Sequence, residues 1–429
     1  MAERQAERQA ELFHQLVQQV LREVGLQRAA LHAGGSVSAR ALPTVSAVER
    51  LVDFTLSEAL AEGASDLHFE PQTGGVRIRV RVDGLLQVRH EPFPKRVYAV
   101  FLSRVKVLAE LVLNEQRRPQ DGHFSFAREG RAADVRVATM PTVEGECLVL
   151  RLLAHGGEVR RVGELGFTTE NEAALRALCR APSGFVVFAG PMGSGKTTSL
   201  YAVLAELQSA QGSIVTLDDP VEYRLDGVTQ VSIREAGGLS FAEALRHVLR
   251  LDADTIVVGE MRDDVTAELS LQAALTGHRV FSTLHTEDAC SAVYRLLEMG
   301  LAPYLLAATL KGVVAQRLVR RVCPACCETA ALSVEEALML GDEGLAGRAV
   351  RRGAGCAACH GTGYRGRLAL QEVLVLDDVL RRALLRGTSL TELRTLAARS
   401  GRQSLRADGR RKVLAGVTTA AEVRRVLYG

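Results

Sequence analysis

Phe185-Val186-Val187-Phe188-Ala189 runs directly into Gly190-Pro191-Met192-Gly193-Ser194-Gly195-Lys196-Thr197-Thr198, and the helix-forming run Ser199-Leu200-Tyr201-Ala202-Val203-Leu204-Ala205-Glu206-Leu207 follows. Five apolar residues bounded by glycine read as a buried strand, and the whole fits strand, G-x-x-x-x-G-K-[ST] loop and helix. In such a loop glycines let successive backbone N–H groups turn inward around phosphate oxygens, and the helix N-terminus adds positive potential. Lys196 is placed to reach the β- and γ-phosphates, and the Thr197 hydroxyl to ligand Mg²⁺. The alternative, a glycine turn that merely joins a strand to a helix, leaves the lysine unexplained. Of the 53 basic residues only Lys95, Lys106, Lys196, Lys311 and Lys412 are lysine, so a lysine retained at this position is informative. The sequence therefore predicts a bound nucleoside triphosphate with Mg²⁺.

Downstream, Ser213–Leu217, Thr255–Gly259 and Val280–Thr283 are further short apolar runs separated by helical stretches. That alternation predicts a parallel sheet covered by helices on both faces, with ligands at the carboxyl ends of its strands. Two acidic groups fall at those ends: Asp218, Asp219 and Glu222 after the second run, and Glu260 with Arg262 and Asp263 after the third. Hydrolysis requires a group that positions and polarises water, and Glu260, a carboxylate just beyond a buried strand, is the candidate general base. Taken one at a time, each of these acids also fits a solvated loop.

The remaining features set limits. At 429 residues, with 47% apolar and 24% charged residues, the chain has the composition of a folded protein of about three domains. No run approaches the roughly 18 apolar residues of a membrane span, and the polar first thirty residues lack the central apolar run of a secretory signal. Both point to a cytoplasmic location. A net charge of +3, no tryptophan and 4% aromatics argue against nucleic acid as the direct partner. The segment before the phosphate loop predicts a helix over Met1 to Ala33, a linker over Ala33 to Pro43, and a second helix over Thr44 to Glu62. Alternating strands follow from Ser65, with a hairpin turn at Asp83-Gly84 and further strands near His123–Phe126, Ala133–Thr139 and Cys147–Leu153. Gly166 to Leu178 reads as a helix with Thr169 and Glu172 as a capping box, and Leu374 to Leu427 reads as helices.

Cys323-x-x-Cys326 and Cys356-x-x-Cys359 are two CxxC pairs with 29 residues between the second and third thiols. Four thiolates in Pro- and Gly-rich knuckles suit a closed, structural Zn²⁺ site. The separation exceeds the usual ribbon spacing, so the intervening chain must fold outward, with Ser333 to Leu340 as a helix. An iron–sulfur cluster and free thiols are the alternatives, and Cys327 is a fifth thiol beside the set. Cys147, Cys179 and Cys290 read as buried small hydrophobes.

Taken together, these stretches resemble the secretion ATPases of type II secretion and type IV pilus assembly, which are RecA-like hexameric motors. Ile214–Glu222, Leu251–Asp263 and Thr276–Thr286 resemble the family's aspartate-rich box, atypical Walker B motif and histidine box. The resemblance implies that Glu260 activates water, that Asp219 and Glu222 order Mg²⁺ and water, and that His278 and His285 sense the γ-phosphate. Asp218 stands where the family usually has Glu, and Asp252-Ala253-Asp254 where it has Asp-Pro-Asp. The stretch from Ala64 to Leu153 resembles the family's smaller mixed α/β (PAS-like) domain, whose arginines reach the nucleotide; Arg136 is the first candidate, with Arg131 behind it, and His123 stands where the family has Arg. The tetracysteine insert and Gly361–Leu374 resemble the assembly-type members.

The expected architecture is an N-terminal helix and linker (1–42), a mixed α/β domain (43–157), a RecA-like core (158–320), a zinc subdomain (321–370) and a helical C-terminal region (371–429). The resemblance implies a homo-hexamer that docks on inner-membrane platform proteins and powers pseudopilus assembly and protein secretion. Pilus assembly and DNA uptake share the same motifs. From different classes, a nucleic-acid-dependent ATPase and a non-hydrolysing scaffold subunit remain as rivals.

Overall fold

The computed structural model describes residues 2–32, 46–128, 130–154, 159–208, 212–222, 224–233 and 238–429, so the expected linker over Ala33 to Pro43 lies outside the described residues. The chain divides into two compact units, Met1–Gly157 and Glu158–Gly429. In the first unit, helices α1 (Ala2–His32) and α2 (Ala47–Ala61) precede strands β1 (Asp66–Gln72), β2 (Gly75–Val82) and β3 (Leu85–Phe93). Helix α3 (Lys95–Leu108) and strands β4 (Gln120–Arg128), β5 (Arg131–Thr142) and β6 (Gly145–Ala154) complete it. Among the described residues the strands form one antiparallel sheet in the order β3-β2-β1-β6-β5-β4.

Sequence explains these elements locally. Asp83 and Gly84 both take positive φ (50° and 86°), the backbone that a two-residue hairpin requires. Ser46 caps α2 in a reciprocal box with Glu49. Helix α1 is buried on one side: Phe13, Leu16, Val17 and Val20 join the core, while Leu12 is 44% exposed. The first helix thus packs into this unit rather than standing as a separate segment. Phe13 stacks on the His90 ring at 4.0 Å between centroids.

The opposite face of this sheet is polar. Reading across the register, Arg81 pairs with Asp66, Asp66 with Arg151, Arg151 with Arg136 and Arg136 with His123. Cross-strand partners point to one side of a sheet, so this row carries three arginines and a histidine around one carboxylate.

The second unit begins with α4 (Thr169–Cys179), β7 (Gly184–Ala189), α5 (Lys196–Leu207), β8 (Ile214–Asp218), β9 (Thr229–Ser232) and α6 (Phe241–Val248). Next come β10 (Thr255–Val258), α7 (Asp264–Leu275), β11 (Arg279–Leu284), α8 (Ala289–Glu298), α9 (Pro303–Thr309) and β12 (Leu310–Val322). A pair of short strands, β13 (Cys327–Ala331) and β14 (Ala349–Gly353), flanks α10 (Val334–Met339), and β15 (Tyr364–Val375) returns to the main sheet. Helices α11 (Asp378–Leu385), α12 (Leu390–Arg399), α13 (Leu405–Leu414) and α14 (Ala420–Tyr428) end the chain.

The main sheet has the order β15-β12-β7-β11-β10-β8-β9 among the described residues. All its pairings are parallel except β12 with β15. Strand β11 separates the strand that carries the phosphate loop from the one that leads to Glu260. Alternation along β7 divides the core between two faces: Phe185 and Val187 pack with the helices α6 to α9, whereas Val186 and Phe188 pack with α4 and α5.

Two expectations are corrected here. The cap of α4 is Thr168, whose side chain accepts from Asn171 N–H at 3.1 Å, one residue earlier than Thr169, so the helix starts at Thr169 rather than Gly166. Helix does not begin at Leu374 or at 371, because Tyr364–Val375 is a strand paired antiparallel along β12. Its polar residues Arg365, Arg367, Gln371 and Glu372 mask the alternation.

At the far end of β12 a third cluster joins Val319 and Leu370 to Leu332, Leu340, Leu405, Val413 and Val423. Glu422, 1% exposed, fastens α14 to it: Arg320 Nη2 donates at 2.8 Å and Arg425 Nη2 at 2.6 Å. Burial alone would raise this carboxyl, but the bonds from Arg425 and Arg320 hold it down at about 2. Because the folded value lies below the unfolded one, this stabilisation is present above about pH 4.5 and is lost as pH falls toward 2. Glu422→Ala is expected to cost about 3 kcal/mol, since it strands the largely buried Arg320 guanidinium while Arg425 stays solvated. In melting experiments the wild-type advantage should narrow as pH is lowered from 5 to 3; a constant difference would contradict the ion-pair origin.

Candidate active site

Because β7, β11, β10 and β8 are parallel, Gly190, His285, Gly259-Glu260 and Asp219 all emerge at one edge of the sheet. The phosphate loop leads into α5, with Gly195 in the left-handed region (φ 88°) as the residue before Lys196. A Cβ on Gly190 would lie 2.4 Å from both the Gln316 carbonyl oxygen and Ser194 Oγ, so only glycine fits there. Ser194 is buried, Thr197 and Thr198 are half-buried, and Pro191, Met192 and Gly193 are exposed. Lys196 Nζ donates to the carbonyls of Gly190 at 2.7 Å and Pro191 at 3.0 Å, so the ammonium is held by its own loop. Burial pushes this amine down to about 8, against the pull of Glu260.

The acidic residues converge. Arg262 ion-pairs with Glu260 and, at 3.1 Å, with Asp219, tying the two carboxylates of neighbouring strands together. His285 Nε2 stands 3.5 Å from Glu260 Oε2. Glu222 carries negative charge toward both Lys196 and Asp218. Asp218, to which the sequence assigns no role, is buried and accepts from Thr216 Oγ1 at 2.5 Å; burial raises its carboxyl, partly offset by hydroxyl bonds. Gly259 is forced by the close approach of β10 to β8, since a Cβ there would meet the Leu217 carbonyl at 2.8 Å. Asp263 is used otherwise: it caps α7 by accepting from Thr266 N–H at 2.7 Å.

His278 does not join this group. It precedes β11, its carbonyl accepts from Gly184 N–H at the start of β7, and its Nδ1 lies 3.0 Å from the Ala273 carbonyl. A strand of that length spans roughly 20 Å, so within one chain His278 is at the opposite edge from the loop. Thr276–Thr286 thus places one histidine at each end of a strand.

Sequence reasoning missed Gln316 and did not foresee the bridging position of Arg262. It also missed Arg151, which lies between Asp66 and Arg136 on the polar face of the first unit. The only signal for Gln316 was an amide interrupting the apolar run Val313–Ala315, which by itself marks no site.

The four thiols do come together. Sγ of Cys323, Cys326, Cys356 and Cys359 all lie within 4.8 Å of one another, with separations of 3.9, 3.8 and 3.7 Å for three of the pairs. A regular tetrahedron with Zn–S bonds of ~2.3 Å has edges of ~3.8 Å. Backbone N–H groups of Gly355, Cys356 and Gly363 point at these sulfurs, as they do where thiolate charge must be held. Burial pushes the Cys359 thiol up, but donors from Cys356 and Gly363 bring it down to about 6. Cys327 opens β13 opposite Gly353 and is not in the cluster. Ser333 caps α10 in a box with Glu336, as the outward-folding insert requires.

Residues 43–425 match the family described as Type II/IV secretion system protein. The chain is 44% identical over 377 residues to type II secretion system protein E of Pseudomonas aeruginosa, which covers 88% of this chain and 75% of that protein. It is 40% identical over 380 residues to the type IV pilus assembly ATPase PilB of Thermus thermophilus, covering 88% of this chain and 43% of the longer protein. The fold is shared with the Legionella pneumophila ATPase DotB, at a TM-score of 0.66 and 22% identity over 89% of this chain and 96% of that one. A phosphate loop, a second-strand acid pair and a third-strand Gly-Glu at one sheet edge agree with that likeness, and the chain belongs to the Type II/IV secretion system protein family.

Proposed function

We propose that this protein is the ATPase motor of a type II secretion system, converting ATP hydrolysis into assembly of pilin-like subunits. The observation that carries the proposal is the convergence of Lys196, Glu260, Asp219 and His285 on the edge where the phosphate loop opens. The loop Gly190–Thr198 binds the triphosphate through backbone N–H groups and Lys196, and Thr197 would ligand the Mg²⁺ that accompanies it. Glu260 takes a proton from water as the water oxygen adds to the γ-phosphorus; the bond to the bridging oxygen breaks, and ADP and inorganic phosphate leave. Asp219 and Glu222 would hold Mg²⁺ and water in place, His285 would contact the γ-phosphate, and Arg262 would release Glu260 when phosphate charge draws it away.

His278, at the far edge, fits this scheme only through another subunit of a ring. Arg136, with Arg151 and His123 beside it, is the proposed source of cationic contacts to the nucleotide. The cysteines would hold a structural Zn²⁺ that orders residues 323–363. The proposed assembly is a homo-hexamer at the cytoplasmic face of the inner membrane, held there by platform and docking proteins. No helix among the described residues is long and apolar enough to cross a membrane.

The test is phosphate release and nucleotide binding by wild type and Lys196→Ala. Wild type should hydrolyse ATP, and the variant should lose binding or turnover; an inactive wild type in the presence of its membrane partner contradicts the proposal. Binding should also depend on pH. Free Lys196 loses its proton near pH 8, whereas phosphates favour the charged amine, so binding takes up a proton above that value. The Kd for ATP should rise with pH above about 8, approaching tenfold per unit, and Lys196→Ala should lack this slope.

A further inference from the structure

Strand β12 pairs with β7 as far as Ala315 opposite Ala189, and its next residue, Gln316, comes to lie beneath the phosphate loop. Gln316 is 1% exposed, and its Nε2 donates to the Ser194 carbonyl at 2.9 Å. Its own carbonyl occupies the space that excludes a Cβ at Gly190, and its amide lies 3.1 Å from where a Cβ on Gly195 would be. The Gln316 backbone, with Ser194 Oγ, thus closes the space at Gly190, and its amide crowds Gly195, whose φ of 88° already favours glycine.

Gln316 is itself held from behind. Its partner across β15 is Gln371, fully buried, whose Nε2 donates to the Leu165 carbonyl at 3.1 Å and whose N–H donates to Asp408 at 2.9 Å. Asp408 is in turn paired with the buried Lys412 at 2.6 Å.

We propose that Gln316 is a positioning residue for nucleotide binding. By fixing the Ser194 peptide it keeps the loop N–H groups facing the phosphates, without touching nucleotide or reacting atoms. This rests on the ATPase assignment above. The Ser194 peptide sits between Gly193 and Gly195, both in the left-handed region (φ 70° and 88°), where the backbone is least restrained by side chains. Without the amide, the loop would sample the phosphate-ready shape for only part of the time, and affinity would fall by that fraction while the bound complex reacted normally. The effect therefore falls on Kd and KM, and kcat is spared.

The experiment compares wild type, Gln316→Leu and Gln316→Asn, the last retaining a buried amide one methylene short of Ser194. Titration with a fluorescent ATP analogue, steady-state kinetics and melting without nucleotide are recorded for each. Both variants are expected to show about tenfold higher Kd and KM, kcat within threefold and nucleotide-free melting within a few degrees of wild type. Wild-type affinity in either folded variant, or a loss confined to kcat, would overturn the proposal. If Gln316→Leu fails to fold, Gln316→Asn decides. Absence of nucleotide binding by wild type would instead overturn the ATPase assignment, which keeps the two failures apart.

Discussion

Glu260→Gln is expected to bind ATP within about threefold of wild type and to hydrolyse it about a hundred- to ten-thousandfold more slowly, the range that a general base supplies. The substitution keeps the shape of the side chain and removes its ability to accept a proton. Binding should survive because Glu260 lies a full strand away from the loop, across β11, and acts on Lys196 only through its charge. Structure should survive too: Arg262 is half-exposed and keeps Asp219 as a partner, so no buried charge is abandoned. Phosphate release together with analogue binding separates the two effects. Wild-type turnover in this variant would remove Glu260 as the base and turn attention to Asp219, the other carboxylate that Arg262 holds.

Cys326→Ser should lower metal content well below one zinc per chain and destabilise the segment between Cys323 and Gly363. Serine is close to cysteine in size, but its hydroxyl stays protonated near neutral pH and is a poor ligand for Zn²⁺, which favours thiolate. In a closed tetrad, metal binding and folding are one equilibrium, worth roughly 10–16 kcal/mol for comparable sites. The knuckle also terminates two long strands, because Cys323 follows β12 and its N–H donates to the Gly363 carbonyl, one residue before β15. The variant should therefore be cut by protease between residues 323 and 363 while the motor unit persists. Cys327→Ser should keep both metal and protease resistance; loss of zinc from that variant, with normal zinc in Cys326→Ser, would exchange their roles.

Much of this was legible from sequence where one stretch carries its own explanation. The apolar run before Gly190, the Asp83-Gly84 turn and the helix from Ser333 each state a local geometry that nothing distant overrides. The emphasis on lysine also proved useful: of the five, Lys106, Lys196 and Lys412 are buried, the first 2.7 Å from Glu146 and the last 2.6 Å from Asp408. A narrow ammonium on a flexible stem fits where a planar guanidinium does not. What could not be read depends on partners remote in the chain. Strand β15 looks helical from Leu374 onward until it is laid against β12, and Gln316 acquires meaning only under a loop that lies more than a hundred residues earlier. His278 shows the reverse case, a residue inside a recognisable stretch that its strand carries to the sheet edge opposite the phosphate loop.

The order of strands in the main sheet has a consequence for how the molecule is made. Strand β7 borders β12, and β12 in turn borders β15, so the floor under Ser194 is finished by the Gln371 region, which a ribosome delivers late. A nascent chain stopped after α9 would hold the whole phosphate loop and the strand-end acids and still lack the amide prop. Full affinity for a triphosphate is therefore expected during translation only once residues near 375 have emerged, after the cysteine knuckle has had its opportunity to close.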